Sequence, residues 1–369
     1  MLPEVKGTVT RQAHVGVPEG TFEEEHGREG FFGRVSHLYH QHAPTGWTRI
    51  EGPLKPQAFW LDRLKPSDAA DPANGRPLPV LGNDDVTISV SRLSQPMPYF
   101  FRNADGDEVL FVHRGQGTLE TDFGPLAYTK GDYLVIPRGT TYRLVPEAGE
   151  SFFLVIESRE EIRQPSRGIL GQHALYDPAM IRTPDPQAYS GEGEFEVRVK
   201  REGRYTKIFY PFHPLDVVGW KGDLTVWQLN ITDLRPVMSH RAHLAPSVHT
   251  TFVGGSAFVI VSFTPRPLER DKDAQRVPFY HRNIDYDEVI FYHDGDFFSR
   301  DNIGPAMLTF HPQGIHHGPH PKAFANQFAK EETDEYAVMV DTRRPLHVLP
   351  GALSAEHGEY HLSWRTETP

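Results

Sequence analysis

The chain lacks cysteine, long apolar segments and an excess of positive charge. Because there is no cysteine among its 369 residues, disulfides, thiolate metal sites, iron–sulfur clusters and cysteine nucleophiles are excluded. No apolar segment of about 18 residues occurs, and the first residues lack the apolar core of a signal peptide, so we expect a cytoplasmic protein without a membrane span. Lys and Arg number 38 against 49 Asp and Glu, a formal charge of −11 that disfavours general nucleic-acid binding.

Turn-forming residues, aromatic residues and histidine are abundant instead. The sequence holds 32 Gly, 32 Pro and 23 Phe, a combination typical of many short strands joined by tight turns. It also holds 20 histidines, and nine of them lie between His240 and His320. In a chain without cysteine, a metal or acid–base site has to be built from imidazole and carboxylate groups. The segment between residues 240 and 320 is therefore the first candidate region for one.

Strand-like patterns occur in two parts of the chain. Residues 86–93 alternate between apolar and polar with a period of two, as a half-buried strand does, and further short apolar segments follow up to residue 156. Residues 158–190 carry several prolines and mixed charges, and strand patterns resume at residues 195–200. This spacing predicts a mostly β fold of sandwiches or barrels rather than alternating β-α-β units.

An internal repeat relates the two parts. Residues 98–110 align with residues 278–290 without a gap, at an offset of 180 residues, and seven of the thirteen positions are identical. Downstream, the Gly-Pro pair at 124 recurs at 304, and a Pro-x-Gly-x-x-Tyr motif that ends at Tyr142 recurs as Pro-x-Gly-x-x-His. A match of this quality within one chain indicates two related β domains.

The two copies differ at positions that determine metal binding. In the second copy, His281 lies seven residues before Glu288, and the Pro-x-Gly-x-x motif ends on His317. In the first copy, Phe101 and Tyr142 occupy the two histidine positions, although the glutamate is kept. We therefore expect the first copy to be a metal-free structural domain.

His281, Glu288 and His317 stand at positions that resemble the paired motifs of the cupin superfamily. These motifs read His-x-His-x4-Glu-x6-Gly and Pro-x-Gly-x-x-His, and here Asn283 replaces the second histidine. Alternate residues of a small barrel point inward, so the three side chains are expected to converge on one interior point. Two imidazoles and one carboxylate form the facial triad of non-haem Fe(II) oxygenases, which leaves coordination positions open for substrate and O2.

Further segments resemble the iron-site region of homogentisate 1,2-dioxygenases. The matching segments are residues 279–283, the pair Asp287-Glu288, His311, residues 317–319, residues 243–247 and residues 46–50. They are similar to the family's Tyr-Tyr-His-Arg-Asn, Ser-Glu-Phe, His-x5-His-Gly-Pro, His-Ala-Asp-Pro-Ser and Trp-Leu-Tyr-Arg-Ile motifs. Strong similarity is confined to about residues 240–320, and weak similarity covers most of the chain.

The resemblance implies an iron-dependent oxygenase. It places Fe(II) on His281, Glu288 and His317, and it makes His243 the base that accepts a phenolic proton. By the same resemblance, the residues expected beside the substrate are His311, Asn283, Tyr280 and Phe297. The implied reaction opens homogentisate, a small aromatic substrate, with O2 to maleylacetoacetate in tyrosine and phenylalanine catabolism. Family members form trimers that pair, so a homo-oligomer, either a trimer or a hexamer, is implied as well.

Two departures from the family pattern keep alternatives open. The interval from His281 to the glutamate is one residue longer than in better-known members, so Asp287 competes with Glu288 as the carboxylate ligand. We favour Glu288, because the cupin spacing and the first copy both place the carboxylate there. Phe297 stands where the family usually has a substrate-contacting tyrosine, and it cannot donate a hydrogen bond. Gentisate or another hydroquinone is therefore an alternative substrate.

Other functions are compatible with the same residues. A metal-dependent cupin isomerase or lyase would use the three ligands with Zn(II), Mn(II) or Ni(II), and a non-enzymatic binding bicupin would need no reaction at all. Near the start of the chain, His37, His40 and His42 lack a carboxylate partner in a recognisable motif, so we expect them at the surface.

The expected fold is mostly β, with two cupin-type jelly-roll barrels in one chain. The expected parts are an N-terminal extension packing on the barrels (1–85), a metal-free first cupin domain (86–160), a connector (161–194), a second cupin domain with the metal site (195–345) and a C-terminal tail (346–369).

Overall fold

Short strands make up most of the regular structure. The computed structural model describes residues 4–282, 284–300 and 302–365, and in these ranges the strands are β1 (Phe22–Gly27), β2 (Val35–His40), β3 (Gln57–Trp60), β4 (Leu78–Gly82), β5 (Val86–Leu93), β6 (Phe100–Asn103), β7 (Asp107–Arg114), β8 (Gly117–Thr121), β9 (Gly124–Tyr128), β10 (Asp132–Ile136), β11 (Thr141–Pro146), β12 (Ser151–Ser158), β13 (Ile162–Arg163), β14 (Glu192–Arg201), β15 (Arg204–Phe212), β16 (Trp227–Asn230), β17 (Thr250–Gly254), β18 (Phe258–Phe263), β19 (Tyr280–His281), β20 (Asp287–Asp296), β21 (Met307–His311), β22 (Asp334–Thr342) and β23 (His347–Val348). A short α-helix, α1 (Pro321–Ala325), and several 3-10 turns lie between them. Among the same residues, no helix has the length and apolar character needed to cross a membrane.

The first unit is a sandwich of two sheets. Its seven-stranded sheet has the order β16-β10-β7-β12-β5-β4-β23, and its six-stranded sheet has the order β15-β14-β6-β11-β8-β9. Leu110 of β7 and Leu119 of β8 are buried in one apolar core between the two sheets. Because side chains alternate along a strand, Val109 and Phe111 of β7 enter a different core on the other face of the seven-stranded sheet.

The second unit provides the other side of that shared core. Its main sheet has the order β13-β17-β18-β22-β20-β21-β3, and a small sheet of order β19-β1-β2 accompanies it. Val289 and Phe291 of β20 join the core that contains Phe111. Ile290, the residue between them, lies in the interior of the second unit with Trp364. The mostly β fold is therefore confirmed, and the arrangement of the sheets is consistent with two related units.

The two copies of the internal repeat meet at the interface between the units. Phe111 and Phe291 are equivalent positions of the repeat, and their rings contact edge to face with centroids 6.2 Å apart. His113 and His293, which are 180 positions apart, share a hydrogen bond between their Nδ1 atoms at 3.0 Å. Equivalent residues touch each other in this way when two copies are related by an approximate twofold axis.

Strand pairing places the boundary between the two units later in the chain than the sequence predicted. β14 pairs in parallel with β6, β15 pairs with β14, and β16 pairs with β10, so residues 192–230 extend the sheets of the first unit. The predicted start of the second domain at residue 195 is therefore too early. A period of two identifies a strand but not its partner, and here the later strands cover backbone groups that β6 and β10 would otherwise expose at sheet edges.

The N-terminal segment contributes strands to both units. β4 pairs with β5 of the first unit, β3 pairs with β21 of the second, and β1 pairs with β2 and, in parallel, with β19. At the other end, β23 pairs with β4, and Trp364 is fully buried. Residues 346–365 of the expected C-terminal tail are thus built into the fold.

Candidate metal centre and its cavity

Three side chains from separate segments meet inside the second unit. His281 belongs to β19, Glu288 to the start of β20, and His317 to the loop after β21. His281 Nε2 lies 3.3 Å from Glu288 Oε2, and His317 Nε2 lies 3.5 Å from Glu288 Oε1. Ligand atoms of the three residues lie within 4.8 Å of one another. The fold thus brings together the three residues at the cupin motif positions.

Backbone groups fix the orientation of both imidazoles. The main chains of His281 and His317 hydrogen bond to each other in both directions, with N···O distances of 2.9 Å. His281 Nδ1 lies 3.1 Å from the Phe279 carbonyl oxygen, and His317 Nδ1 lies 3.1 Å from the Ile315 carbonyl oxygen. An Nδ1–H that donates to a carbonyl leaves the lone pair on Nε2, which is the arrangement of metal-binding histidines.

The donor set fits a divalent metal ion. Among the described residues, the buried His317 Nε2 has no hydrogen-bond partner. Leaving a buried polar atom unpaired costs about 1–3 kcal/mol, a cost that a cation shared with His281 and Glu288 would remove. Two imidazoles and one carboxylate suit Fe(II), Zn(II) and Mn(II), and three protein ligands leave further coordination positions for small molecules.

The imidazoles around Glu288 determine the charge of the centre. Burial alone would raise the pKa of Glu288, but nearby His317 and the hydrogen bonds of His281 and His311 lower it well below its usual range. Burial, together with nearby His281, lowers the pKa of His317 to about 3. At neutral pH the centre therefore holds a carboxylate and a neutral His317, the protonation states that metal binding requires.

Asp287 points away from this centre. Its Oδ1 accepts a hydrogen bond from the Gln313 backbone at 2.7 Å, and its Oδ2 accepts one from the Leu346 backbone at 2.6 Å. Successive side chains of a strand point to opposite faces, so Asp287 and Glu288 cannot both face the two histidines. The geometry therefore favours Glu288 as the carboxylate ligand.

His311 supports the carboxylate rather than lining a cavity. Its Nδ1 lies 2.8 Å from Glu288 Oε1, and its Nε2 lies 3.1 Å from the Tyr360 hydroxyl oxygen. Its ring also stacks on that of His317, with centroids 4.5 Å apart. Both ring nitrogens are therefore occupied by protein groups, which differs from the substrate contact expected from the sequence.

The other residues expected beside the substrate lie in different surroundings. The Tyr280 ring packs against Phe324 of α1, with centroids 6.1 Å apart. Phe297 packs against Tyr292, with centroids 4.8 Å apart. In the described part of the chain, the walls of the cavity beside His281 include neither Tyr280 nor Phe297. Asn283 lies outside the described residues.

His243 lies in the wall of a cavity that reaches the metal centre. The same cavity is lined by His281 and Glu288. His243 Nδ1 lies 3.1 Å from Glu269 Oε1, and an Nδ1–H that donates to this carboxylate leaves Nε2 basic. Burial lowers the pKa of His243, against the opposing effect of Glu269. The imidazole is therefore neutral near pH 7 and able to accept a proton.

Charged side chains of both signs line the cavity. Its volume is about 740 Å³ including its solvent-facing mouth. Its walls carry Arg266, Arg276 and Arg300 together with Glu269, Glu288 and Glu335. Within the described ranges, the Nε atoms of Arg276 and Arg300 are buried and have no hydrogen-bond partner. Guanidinium groups of this kind can donate charge-assisted hydrogen bonds to an anionic group of a ligand.

No sequence motif points to two acidic residues that support the site. Glu269 orients His243, and Glu24 of β1 contacts the neighbours of both histidine ligands. Glu24 Oε1 lies 3.1 Å from His316 Nε2 and 3.2 Å from Arg282 Nε. In both contacts of Glu24, the two partners are more than 250 positions apart in sequence. The one available signal is the run of three glutamates at residues 23–25, which is unusual in a strand.

Aromatic side chains fill the corresponding point of the first unit. The Tyr142 hydroxyl donates to Glu108 Oε2 at 3.1 Å, and the Phe101 ring contacts that of Tyr142 with centroids 5.6 Å apart. Burial and the nearby charge of Glu157 raise the pKa of Glu108 to about 7. The two copies therefore share a strand framework but differ in the chemistry of this position.

The protein has relatives of known sequence and structure. The model of the homogentisate 1,2-dioxygenase N-terminal family matches residues 79–231. A Saccharolobus solfataricus protein named "Putative dioxygenase" is 33% identical over 360 residues, which cover 93% of this chain and 93% of that protein. A cupin 2 conserved barrel domain protein from Leptotrichia buccalis is 9% identical at a TM-score of 0.34, covering 71% of this chain and 86% of that one. The E. coli protein Ylba is 10% identical at a TM-score of 0.38, covering 81% of this chain and 95% of that one.

The family match coincides with the first unit as strand pairing defines it. Residues 79–231 run from β4 to just beyond the end of β16. The Saccharolobus relative extends the relationship through the second unit, which holds the candidate metal centre. The chain therefore belongs to the homogentisate 1,2-dioxygenase family, a family of dioxygenases.

Proposed function

We propose that the protein is an Fe(II)-dependent ring-cleaving dioxygenase that opens homogentisate with O2 to give maleylacetoacetate. The observation that carries this proposal is a single cavity lined both by His281 and Glu288 and by His243 with its partner Glu269. A divalent-cation site and a general base in one cavity are the two parts that cleavage of a phenolic ring requires.

The protein's own groups prepare the centre for its cation. Fe(II) on His281, Glu288 and His317 would supply adjacent positions for a phenolic oxygen and O2 and a route for electrons between them. Glu288 supplies the negative charge that offsets the cation, and His311 holds one of its oxygens at 2.8 Å. The carbonyl oxygen of Phe279 keeps the Nε2 lone pair of His281 directed at the centre.

His243 takes up the proton of the substrate hydroxyl group. The proton moves from the phenolic oxygen to Nε2, and Glu269 stabilises the resulting imidazolium through Nδ1–H. A positioned general base of this kind contributes about 10²- to 10⁴-fold to a rate. Ring opening then inserts both atoms of O2 into the product, so no external reductant is needed.

The charge of the cavity supports a substrate that bears a carboxylate. Arg276 and Arg300 present buried guanidinium nitrogens that have no partner in the described part of the chain. A carboxylate accepts charge-assisted hydrogen bonds from guanidinium, which are stronger than bonds between neutral groups. Homogentisate carries such a carboxylate on a side chain of its ring, and so the proposal accounts for the two arginines.

The test is O2 consumption by the iron-loaded protein. We expect uptake with homogentisate, incorporation of two labelled oxygen atoms from ¹⁸O2 into the product, and loss of iron and activity in His317→Ala. An iron-loaded protein that consumes no O2 with homogentisate, gentisate or other hydroquinones contradicts the proposal. Turnover without O2 by the zinc-loaded protein would indicate a cupin isomerase or lyase instead.

Gentisate or another hydroquinone is the second candidate substrate. Phe297 packs against Tyr292 and lacks the hydroxyl group that family members use to contact substrate. A higher kcat/KM for gentisate than for homogentisate would change the substrate while leaving the ring-cleaving reaction in place.

A further inference from the structure

A second group of imidazole and carboxylate side chains lies in the N-terminal segment. β1 carries Glu23 and Glu25, β2 carries His37, and His14 precedes β1. Because side chains alternate along a strand, Glu23 and Glu25 share one face of β1. The side chains of His14, Glu23 and Glu25 are 8%, 0% and 10% exposed, so these three are almost entirely removed from water.

One carboxylate oxygen lies between the two imidazoles. Glu25 Oε2 is 3.6 Å from His14 Nε2 and 3.6 Å from His37 Nε2. Ligand atoms of His14, Glu23 and His37 lie within 4.8 Å of one another. A separation of 3.6 Å is too long for a hydrogen bond. It is close to the roughly 3.0–3.6 Å between two ligand atoms that each lie about 2.0–2.2 Å from one zinc ion.

His37 offers a free ligand atom at this point. Its Nε2 is buried and has no hydrogen-bond partner within the described residues. The side chain as a whole is 22% exposed, which leaves a short route from solvent. From the sequence alone His37 is expected at the surface without a carboxylate partner. The ladder between β1 and β2 supplies that partner, because Glu25 lies directly opposite His37.

We propose that His14, Glu25 and His37 bind a divalent transition-metal ion of the zinc class, while Glu23 orients His14 by accepting a hydrogen bond from Nδ1. The two carboxylates of Glu23 and Glu25 offset the charge of such an ion, and nitrogen and oxygen donors of these types are those that zinc prefers when thiolates are absent. The site shares no ligand with the centre at Glu288, and the inference does not depend on the proposed function.

The position of the site gives it a structural role. The His14 ring stacks on Phe279 at a centroid distance of 4.3 Å. The Phe279 carbonyl oxygen in turn is the acceptor for His281 Nδ1. An ion on His14 and His37 therefore fastens the N-terminal segment against the strand that carries His281.

The experiment measures zinc binding by the full-length, chelator-stripped protein with His317→Ala, which disables the other centre. Calorimetric titration with zinc chloride is expected to show one equivalent per chain. Adding His37→Ala is expected to weaken this binding by more than about 100-fold, since a direct ligand contributes at least as much as its supporting groups. Adding His42→Ala, a matched substitution of an exposed histidine in the same segment, is expected to leave it unchanged.

A second readout guards against misfolded variants. Zinc is expected to raise the Tm of the His317→Ala protein and of its His42→Ala derivative, because a ligand that binds only the folded state stabilises it. It is expected to leave the Tm unchanged once His37 is replaced by Ala or by the polar residue Gln. In the wild-type chain, where the other centre is intact, we expect two equivalents of zinc per chain. The single variant His37→Ala is expected to bind one.

Two results would overturn the proposal. One is absence of zinc binding by folded His317→Ala protein, which would make the group a metal-free cluster of ion pairs. The other is binding of one zinc equivalent with unchanged affinity by the His37→Ala variant and by the His37→Gln variant. Since these measurements count metal ions and not turnover, a failure of the dioxygenase proposal leaves them unaffected.

Discussion

Adjacent residues of β20 have different tasks. Asp287 accepts two backbone hydrogen bonds and holds the segments around Gln313 and Leu346 in place. Glu288, one step further, faces the histidines of the metal centre. Because successive side chains of a strand point to opposite faces, Asp287 supports neighbouring loops while Glu288 faces the candidate metal centre.

Substitution of these two acids by their amides distinguishes the tasks. Glu288→Gln keeps the side-chain shape but removes the charge, so we expect iron content near zero and loss of O2 uptake. Asp287→Asn is the matched control and is expected to keep iron but to lower the free energy of unfolding by about 1–3 kcal/mol, because one backbone N–H loses its acceptor. Iron content and urea unfolding measure the two effects. If Asp287→Asn lost its iron and Glu288→Gln kept it, the carboxylate ligand would be Asp287 and not Glu288.

Glu269 is expected to act through His243. Burial lowers the pKa of His243, and the Glu269 carboxylate raises it. Glu269→Gln should therefore lower this pKa further and move the acidic limb of the kcat/KM profile to lower pH, while kcat falls because the imidazole is a weaker and less well-oriented base. Iron content should stay unchanged. A fall in activity without any movement of the acidic limb would mean that Glu269 has only a structural role.

At the scale of secondary structure, β1 links the N-terminal segment to the metal centre. It pairs in parallel with β19, and Glu25 lies beside His281 in that register. Glu24, on the opposite face of β1 from Glu23 and Glu25, contacts Arg282 and His316, each adjacent in sequence to a histidine ligand. A strand of the small sheet thus holds together the two segments that carry the candidate histidine ligands.

Removal of the Glu24 charge should destabilise this link in a pH-dependent way. Burial alone would raise the pKa of Glu24, but His316, His40 and Arg282 lower it to about 2. Its contribution to stability is therefore complete above about pH 4.5 and is lost as pH falls through about 2. Glu24→Gln is expected to lower the free energy of unfolding by about 1–3 kcal/mol at pH 7 and by less in acid.

Urea unfolding of wild type and variant at pH 7 and pH 3 provides the measurement. Glu19→Gln, at an exposed position before β1, is the control and should change neither value. If Glu24→Gln lowered the free energy of unfolding equally at both pH values, the charge of Glu24 would not contribute to stability.

Local patterns predicted strands and the proximity of the three candidate ligands, but not their long-range partners. The alternation at residues 86–93 became β5, and the repeat placed His281, Glu288 and His317 in register, because both depend on neighbours in sequence. The pairing of β14 with β6 and the contacts of Glu24 and Glu269 involve residues that are close only after folding. Period-two patterns are the same whichever strand becomes the partner, so the boundary at residue 195 could not be placed correctly.

At the scale of the whole molecule, the histidine pair at the interface between the units makes stability depend on pH. Burial lowers the pKa of His113 to about 3 and that of His293 to about 4. The unfolded chain takes up two protons as pH falls through about 6.5, whereas the folded chain takes them up only near pH 4 and below. The free energy of unfolding should therefore fall as pH decreases from about 6.5 to 4.

Leucine substitutions test this dependence. His293→Leu leaves His113 Nδ1 unpaired and is expected to cost about 1–3 kcal/mol at pH 7. The double variant His113→Leu/His293→Leu removes both polar groups, so it should recover part of that loss and weaken the dependence on pH between 6.5 and 4. Urea unfolding across this range is the measurement. A double variant with an unchanged pH dependence would assign it to other groups.

The parallel pairing of β1 with β19 has a consequence for biosynthesis. His26 and Arg282, in contact through their side chains, are 256 residues apart, so the hairpin leaves the ribosome long before its partner strand exists. At about 5–20 residues per second, translation of the intervening chain takes tens of seconds. A metal ion held by His281, Glu288 and His317 would therefore reach its final surroundings only after the chain has been synthesised through residue 317. The hairpin of β1 and β2 is thus synthesised early, but it can pair with β19 only after residues 280–281 have been made.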